Sequence, residues 1–95
     1  MQDLRPVETY GDVSLSVQAS RYHYSQPRQN GLPLADYETV EVAVLNAPGH
    51  LVRPSQVGVK GYDNLFERGA SPVASYVAQA DVQQLREALK RRTAA

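Results

Sequence analysis

Hydrophobic and polar positions alternate in two stretches of the chain, and these define its clearest elements. Val13, Leu15, Val17 and Ala19 interleave with Ser14, Ser16, Gln18 and Ser20. That is the period of two expected of a strand with one buried face and one wet face, and it predicts a strand over residues 12 to 24. The end of this stretch departs from the pattern. Arg21 and His23 inherit the inward parity, while Tyr22 and Tyr24 inherit the outward one. Either a bulge near Ser20 swaps the faces, or two tyrosines face solvent. A second strand is predicted over residues 37 to 45, with Val40, Val42 and Val44 on one face and Tyr37, Thr39, Glu41 and Ala43 on the other. The two are expected to pair antiparallel. Residues 25 to 36 between them carry two prolines and an Asn-Gly pair and read as a loop. Connections of that length are often binding elements.

Beyond the second strand the pattern weakens. Asn46, Ala47, Pro48 and Gly49 predict a turn with Pro48 at the first central position and Gly49 at the second. Leu51 and Val52 fit a short third strand. Glycines at 58, 61 and 69 interrupt residues 53 to 70, where the run DNLFERG suggests one helical turn capped by Asp63 and stopped by Gly69. A further strand is predicted over residues 72 to 77 and a helix over residues 81 to 92. Asp81 and Gln84 can form a capping box at the start of that helix. Lys90, Arg91 and Arg92 suit the negative end of its dipole. Val82, Leu85, Ala88 and Leu89 form one narrow apolar stripe, which must lie on the sheet. The expected fold class is α+β, a small antiparallel sheet of three to four strands with one C-terminal helix packed on one face.

Size and composition narrow this further. Ninety-five residues fit a single domain, because a chain this short buries only about two-thirds of its unfolded surface and cannot supply two cores. The apolar fraction of 42% is that of an ordinary globular protein, so the chain should fold without a metal or a covalent staple. There is no cysteine, which excludes disulfides, thiolate nucleophiles and cysteine-ligated metal centres. The first twelve residues have neither the basic nor the apolar region of a signal peptide, and no stretch approaches a membrane span. The expectation is a cytoplasmic protein with no membrane partner.

Formal net charge is zero, which argues against the long-range positive field of a dedicated duplex-binding protein. The zero conceals an asymmetry. Residues 1 to 48 hold three Arg/Lys against six Asp/Glu, and residues 49 to 95 hold seven against four.

Candidate chemistry is sparse. His23 and His50 are the only histidines, and neither has a second ligand at helical metal-site spacing, so no metal is expected. The glycines form no phosphate-cradling motif, the serines carry no nucleophile signature, and no cofactor is implied. Neither feature supports an enzyme. The most chemically loaded stretch is residues 21 to 28, RYHYSQPR. Tyrosine and arginine dominate protein interfaces, because a stiff amphipathic ring and a planar five-donor fork gain contact at modest entropic cost. Arg21, Tyr22, Tyr24, Arg28 and Tyr37 are therefore the candidate partner-binding residues. The bland reading is that the tyrosines complete the core with their hydroxyls at the surface. A rival one takes Arg21, His23 and Tyr24 as an acid-base set.

The segments VSLSVQASRYHYSQPR, YETVEVAVL and SPVASYVAQADVQQLREAL resemble small accessory proteins of phage and prophage genomes, in which a segment like ASxYHYSxPR precedes a VEV strand and a final strand and helix. The resemblance is carried by these segments and transfers no site residue. It implies a class of protein that binds and blocks a host protein, including components of CRISPR and other defence systems. The expected function is thus a phage-encoded, non-enzymatic inhibitor acting by stoichiometric contact with a host protein or complex, with a homodimer possible. The alternative is a small nucleic-acid-binding or nucleic-acid-processing protein that uses segment 21 to 28 and the C-terminal basic cluster.

Overall fold

A computed structural model of the chain describes residues 5–20, 23–69 and 72–94. The fold is α+β, a five-stranded antiparallel sheet with one C-terminal helix packed on one face. Its strands are β1 (Glu8–Tyr10), β2 (Val13–Gln18), β3 (Thr39–Leu45), β4 (Leu51–Val52) and β5 (Ala74–Ala78), followed directly by α1 (Gln79–Ala94). β3 is the centre of the sheet. β2 lies along one side of it with Val17 opposite Val42, and β4 and β5 share the other side. β1 closes the β2 edge.

The alternation along β2 and β3 translates directly into packing. Val13, Leu15, Val17, Val40, Val42 and Val44 are all buried, and Val82, Leu85 and Leu89 of α1 close over them. A helix covers a sheet face with residues spaced three and four apart, which is the spacing of this stripe. α1 begins two residues before the predicted start, so Gln79 rather than Asp81 opens it. The Gln79 amide nitrogen then donates to the carbonyl oxygens of Leu34 at 2.9 Å and Tyr37 at 2.8 Å. This ties the long loop to the start of the helix.

Three local expectations are corrected. β2 ends at Gln18 rather than running to residue 24, because Ala19 and Ser20 turn down into the core and the chain leaves the ladder. The turn after β3 is displaced by one residue. The Gly49 N–H donates to the Asn46 carbonyl and the Asn46 N–H to the His50 carbonyl, so Ala47 and Pro48 are central and Gly49 follows at φ 91°. That is the three-residue hairpin with a left-handed glycine at its end. Asp63 does not cap a helix of its own. It opens a single 3-10 turn, Asp63–Leu65, and its carboxylate accepts from the N–H and hydroxyl of Ser55 in a second 3-10 turn, Pro54–Val57. The chain leaves the first of these at Phe66, which is extended and drops into the core well before Gly69.

β1 was not predicted. Its hairpin with β2 has a two-residue loop, Gly11 and Asp12, with positive φ at Gly11 alone. That is the φ pattern of a II′ turn. Glu8 on β1 receives Arg86 of α1, whose Nε and Nη2 each lie 2.9 Å from a carboxylate oxygen, and the Tyr10 hydroxyl donates to the same carboxylate at 2.7 Å. Asp12 pairs with Arg92 at 2.8 Å. Folding therefore joins the acidic first half to the basic second half through the helix.

Candidate functional site: an aromatic and arginine face at a sheet bulge

The most distinctive geometry is on the face of the sheet away from α1. Val40 of β3 pairs with Val77 of β5, and Val42 pairs with Ala74. Between these pairs β3 has one residue, Glu41, and β5 has two, Ser75 and Tyr76. An extra residue of this kind forms a bulge, which bends the strand and re-aims a side chain. Val77 and Ala74 keep their inward positions in the core, and the irregularity is taken up by Tyr76, whose φ is 52°. It is the one described non-glycine residue with positive φ. The left-handed region costs an ordinary side chain about 1 kcal/mol or more, because its Cβ crowds the following carbonyl.

Residues 23 to 28 meet this bulge. After β2 the chain turns through His23 and Tyr24 and rejoins β3, where the Gln26 N–H donates to the Thr39 carbonyl at 3.1 Å. Ser25 is fully buried, and its hydroxyl donates to the Ser20 carbonyl at 3.0 Å while accepting from the Ser20 N–H at 3.2 Å. The Tyr24 N–H donates to the Glu41 carboxylate at 3.1 Å, and the Tyr24 carbonyl accepts from the Tyr76 N–H at 2.9 Å. The Tyr24 N–H and carbonyl and the Tyr76 N–H are thereby satisfied, and the side chains of Tyr24 and Tyr76 are left exposed.

Those side chains form a cluster. The rings of Tyr24 and Tyr76 are 5.9 Å apart between centroids and tilted by 53°, within the range of favourable aromatic pairs. Both are exposed, Tyr24 at 50% and Tyr76 at 43%, far above what a core tyrosine with a wet hydroxyl shows. The Arg28 guanidinium carbon lies 5.9 Å from the centre of the Tyr24 ring, and Nη1 donates to the Tyr76 hydroxyl at 3.2 Å. Arginine over a tyrosine face gains from the ring quadrupole, so the cation is held in place rather than swinging freely.

Of the five residues proposed from sequence, Tyr24 and Arg28 come together here. Arg21 and Tyr22 lie outside the described residues. Tyr37 is not on this face. It is 1% exposed and belongs to the core. The expectation failed because β3 starts at Thr39, so strand parity does not extend back to Tyr37. The residue instead ends the 3-10 turn Leu34–Asp36, its hydroxyl donates to the Gln29 carbonyl, and Arg5 lies 5.6 Å over its ring. Tyr76 was missed, since its position in a predicted strand says nothing of a bulge that only pairing with β3 creates.

The other candidates do not converge. His23 shares a 2.8 Å hydrogen bond between Nδ1 and the Ser20 hydroxyl. Arg92 is committed to Asp12 and to the Val57 carbonyl, and Lys90 lies 3.5 Å from Glu87. Within the C-terminal basic cluster Arg92 is thus held in internal contacts, while Lys90 and Arg91 are exposed. A shallow groove of about 580 Å3 runs beside α1, lined by Tyr62, Ala80, Gln83, Gln84, Glu87 and Arg91. Its mixed charges focus on no point. Among the described residues no three metal-ligating side chains come together, and no helix is long and apolar enough to cross a membrane.

No family model, curated protein or solved structure matches this chain.

Proposed function

We propose that this is a non-enzymatic binding protein that acts by stoichiometric contact with another protein, through the face built from Tyr24, Arg28 and Tyr76. The observation carrying the reading is the pair of exposed tyrosines packed at 5.9 Å over a bulge that holds one of them at positive φ. Exposed aromatics gathered on one face are a usual mark of an interaction surface. Backbone strain that persists at a surface ring is accounted for by what the ring does there. Within this reading, the resemblance of segments 13 to 28, 37 to 45 and 71 to 89 to phage accessory proteins supports the narrower proposal that the partner is a host defence protein, CRISPR components included, and that contact inhibits it in the host cytoplasm.

The test is capture of a host protein by the tagged chain, repeated with Tyr24→Ala and Tyr76→Ala. Each substitution is expected to weaken binding by about 1 to 4 kcal/mol, as at an interface hot spot. Tyr24→Ala should leave the chain folded and lower its stability by no more than about 1.5 kcal/mol, the worth of an exposed aromatic pair. A captured protein held equally well by both variants moves the contact surface elsewhere. Self-association that both variants abolish would make the partner a second copy of the chain.

A further inference from the structure

The same face carries information about what it binds. We infer that the partner presents a carboxylate, from an aspartate or glutamate beside an apolar side chain, to the guanidinium of Arg28. This rests on the reading that the Tyr24 and Tyr76 face is the contact surface.

Three features point to it. Arg28 is exposed, and the described ion pairs, Glu8 with Arg86, Glu87 with Lys90 and Asp12 with Arg92, do not include it. Of its five N–H donors, the contact described above uses one, to the Tyr76 hydroxyl. The rest of the fork is available in a fixed plane, and a planar carboxylate is the group that such a fork binds through two parallel hydrogen bonds. The Tyr24 ring beneath the guanidinium and the Tyr76 ring packed beside it also supply an apolar floor for the side chain next to that carboxylate.

The charges around the cluster select against a polyanion. Glu41 lies under Tyr24, and the N–H of the exposed Glu38 donates to the Gln26 carbonyl at 2.8 Å, two residues from Arg28. Residues 36 to 41 contain three acids and no base. A phosphate backbone with a charge at every nucleotide would meet the acids of this segment as well as Arg28. A single carboxylate in a protein segment meets the arginine alone.

A random linear peptide library panned on the full-length chain, and in parallel on Arg28→Gln, Arg28→Lys and Tyr24→Ala, tests this. Arg28 is exposed, so its variants should melt with the wild type, and that is measured first. Peptides selected by the wild type are expected to carry an Asp or Glu next to an apolar residue. Replacing that acid by its amide should weaken binding about tenfold or more, and Arg28→Gln should do the same. Arg28→Lys should also lose most of the affinity, since an ammonium keeps the charge but not the fork. Selection of peptides without acids, unaltered binding by Arg28→Gln, or no selection at all overturns the carboxylate assignment. So does tighter binding of a thymidine 20-mer than of any peptide, lost in Arg28→Gln, which makes the face a nucleic-acid platform. If Tyr24→Ala still loses the captured host protein while no acidic peptide is selected, the contact face stands and only its ligand chemistry falls.

Discussion

The two faces of the sheet are held by different forces. On the α1 side, Val42, Val44, Leu85 and Leu89 meet with no exposed surface to speak of, and burial of apolar area supplies the stabilisation. On the other side, residues 23 to 28 are fastened to β3 and β5 by backbone hydrogen bonds and by the Glu41 carboxylate, and the rings of Tyr24 and Tyr76 stay in solvent. A net hydrogen bond contributes only about 1 kcal/mol, so the second face gains less from each contact and can carry residues chosen for something other than stability. The left-handed Tyr76 is where that freedom shows.

The comparison breaks first, and most visibly, at the helix. Leu85 is 1% exposed, and Leu85→Ala should cost roughly 2 to 5 kcal/mol through lost burial and the cavity left behind, a large part of the stability of a domain this small. A chemical-denaturation midpoint that stays in place would remove α1 from the core. On the opposite face the corresponding anchor is polar. Ser25→Ala removes a buried hydroxyl that both donates to and accepts from Ser20, with an expected loss of about 1 to 3 kcal/mol. Equal stability of the variant would mean that apolar contacts, not this hydroxyl, fasten the segment.

The Glu8 and Arg86 pair links β1 to α1 and sharpens the contrast through pH. Burial pushes the Glu8 carboxyl up, but the hydrogen bonds from Arg86 and Tyr10 and the Arg86 charge outweigh it and hold the group below its ordinary 4.5. A depressed carboxylate stabilises fully above its unfolded value and loses that contribution as pH falls through the folded one. Stability should therefore decline below about pH 4.5, and less so in Arg86→Ala, which itself should cost about 1 kcal/mol at neutral pH. Tyr10 gives the alkaline counterpart. Burial and its hydrogen bond to Glu8 push the phenol up to about 12 from 10.0, so its contribution is present below pH 10 and lost as pH rises toward 12. Melting temperatures across both limbs, with and without Arg86, read this out.

A subtler effect is expected at the bulge, read as a difference between two variants. Tyr76→Ala and Tyr76→Gly both remove the ring, but only alanine keeps a Cβ at a φ of 52°. The glycine variant should be the more stable of the two by about 1 kcal/mol. Equal midpoints would show that the backbone relaxes out of the left-handed region once the ring is gone, and that the ring itself held the bulge.

Much of the fold was legible in advance, for a reason that individual residues make plain. Val13, Leu15 and Val17, and Val40, Val42 and Val44, commit each strand to one inward face, since a slip of one residue would send every one of them to solvent. The β1 hairpin was also legible and went unread. Gly11-Asp12 is a two-residue hairpin signal, but Glu8, Thr9 and Tyr10 lack the apolar alternation that draws attention to a strand. For the candidate site the picture is reversed. Tyr24 and Arg28 were identified by residue type. Unbroken parity along β2 does not account for the exposure of Tyr24, because the strand stops at Gln18.

The sequence by itself determined the elements that rest on local periodicity: β2, β3, the helix and its buried stripe, and the absence of any cysteine chemistry. Its signals there are short-range and repeat within a few residues. Only the tertiary structure decided that Tyr37 is core and Tyr76 is surface. The first depends on Gln79, Arg5 and Gln29 closing around a 3-10 turn, and the second on β5 carrying one more residue than β3 between two buried pairs. Both are set by partners distant in the chain, and a count of spacing along one strand contains no information about the strand it will meet.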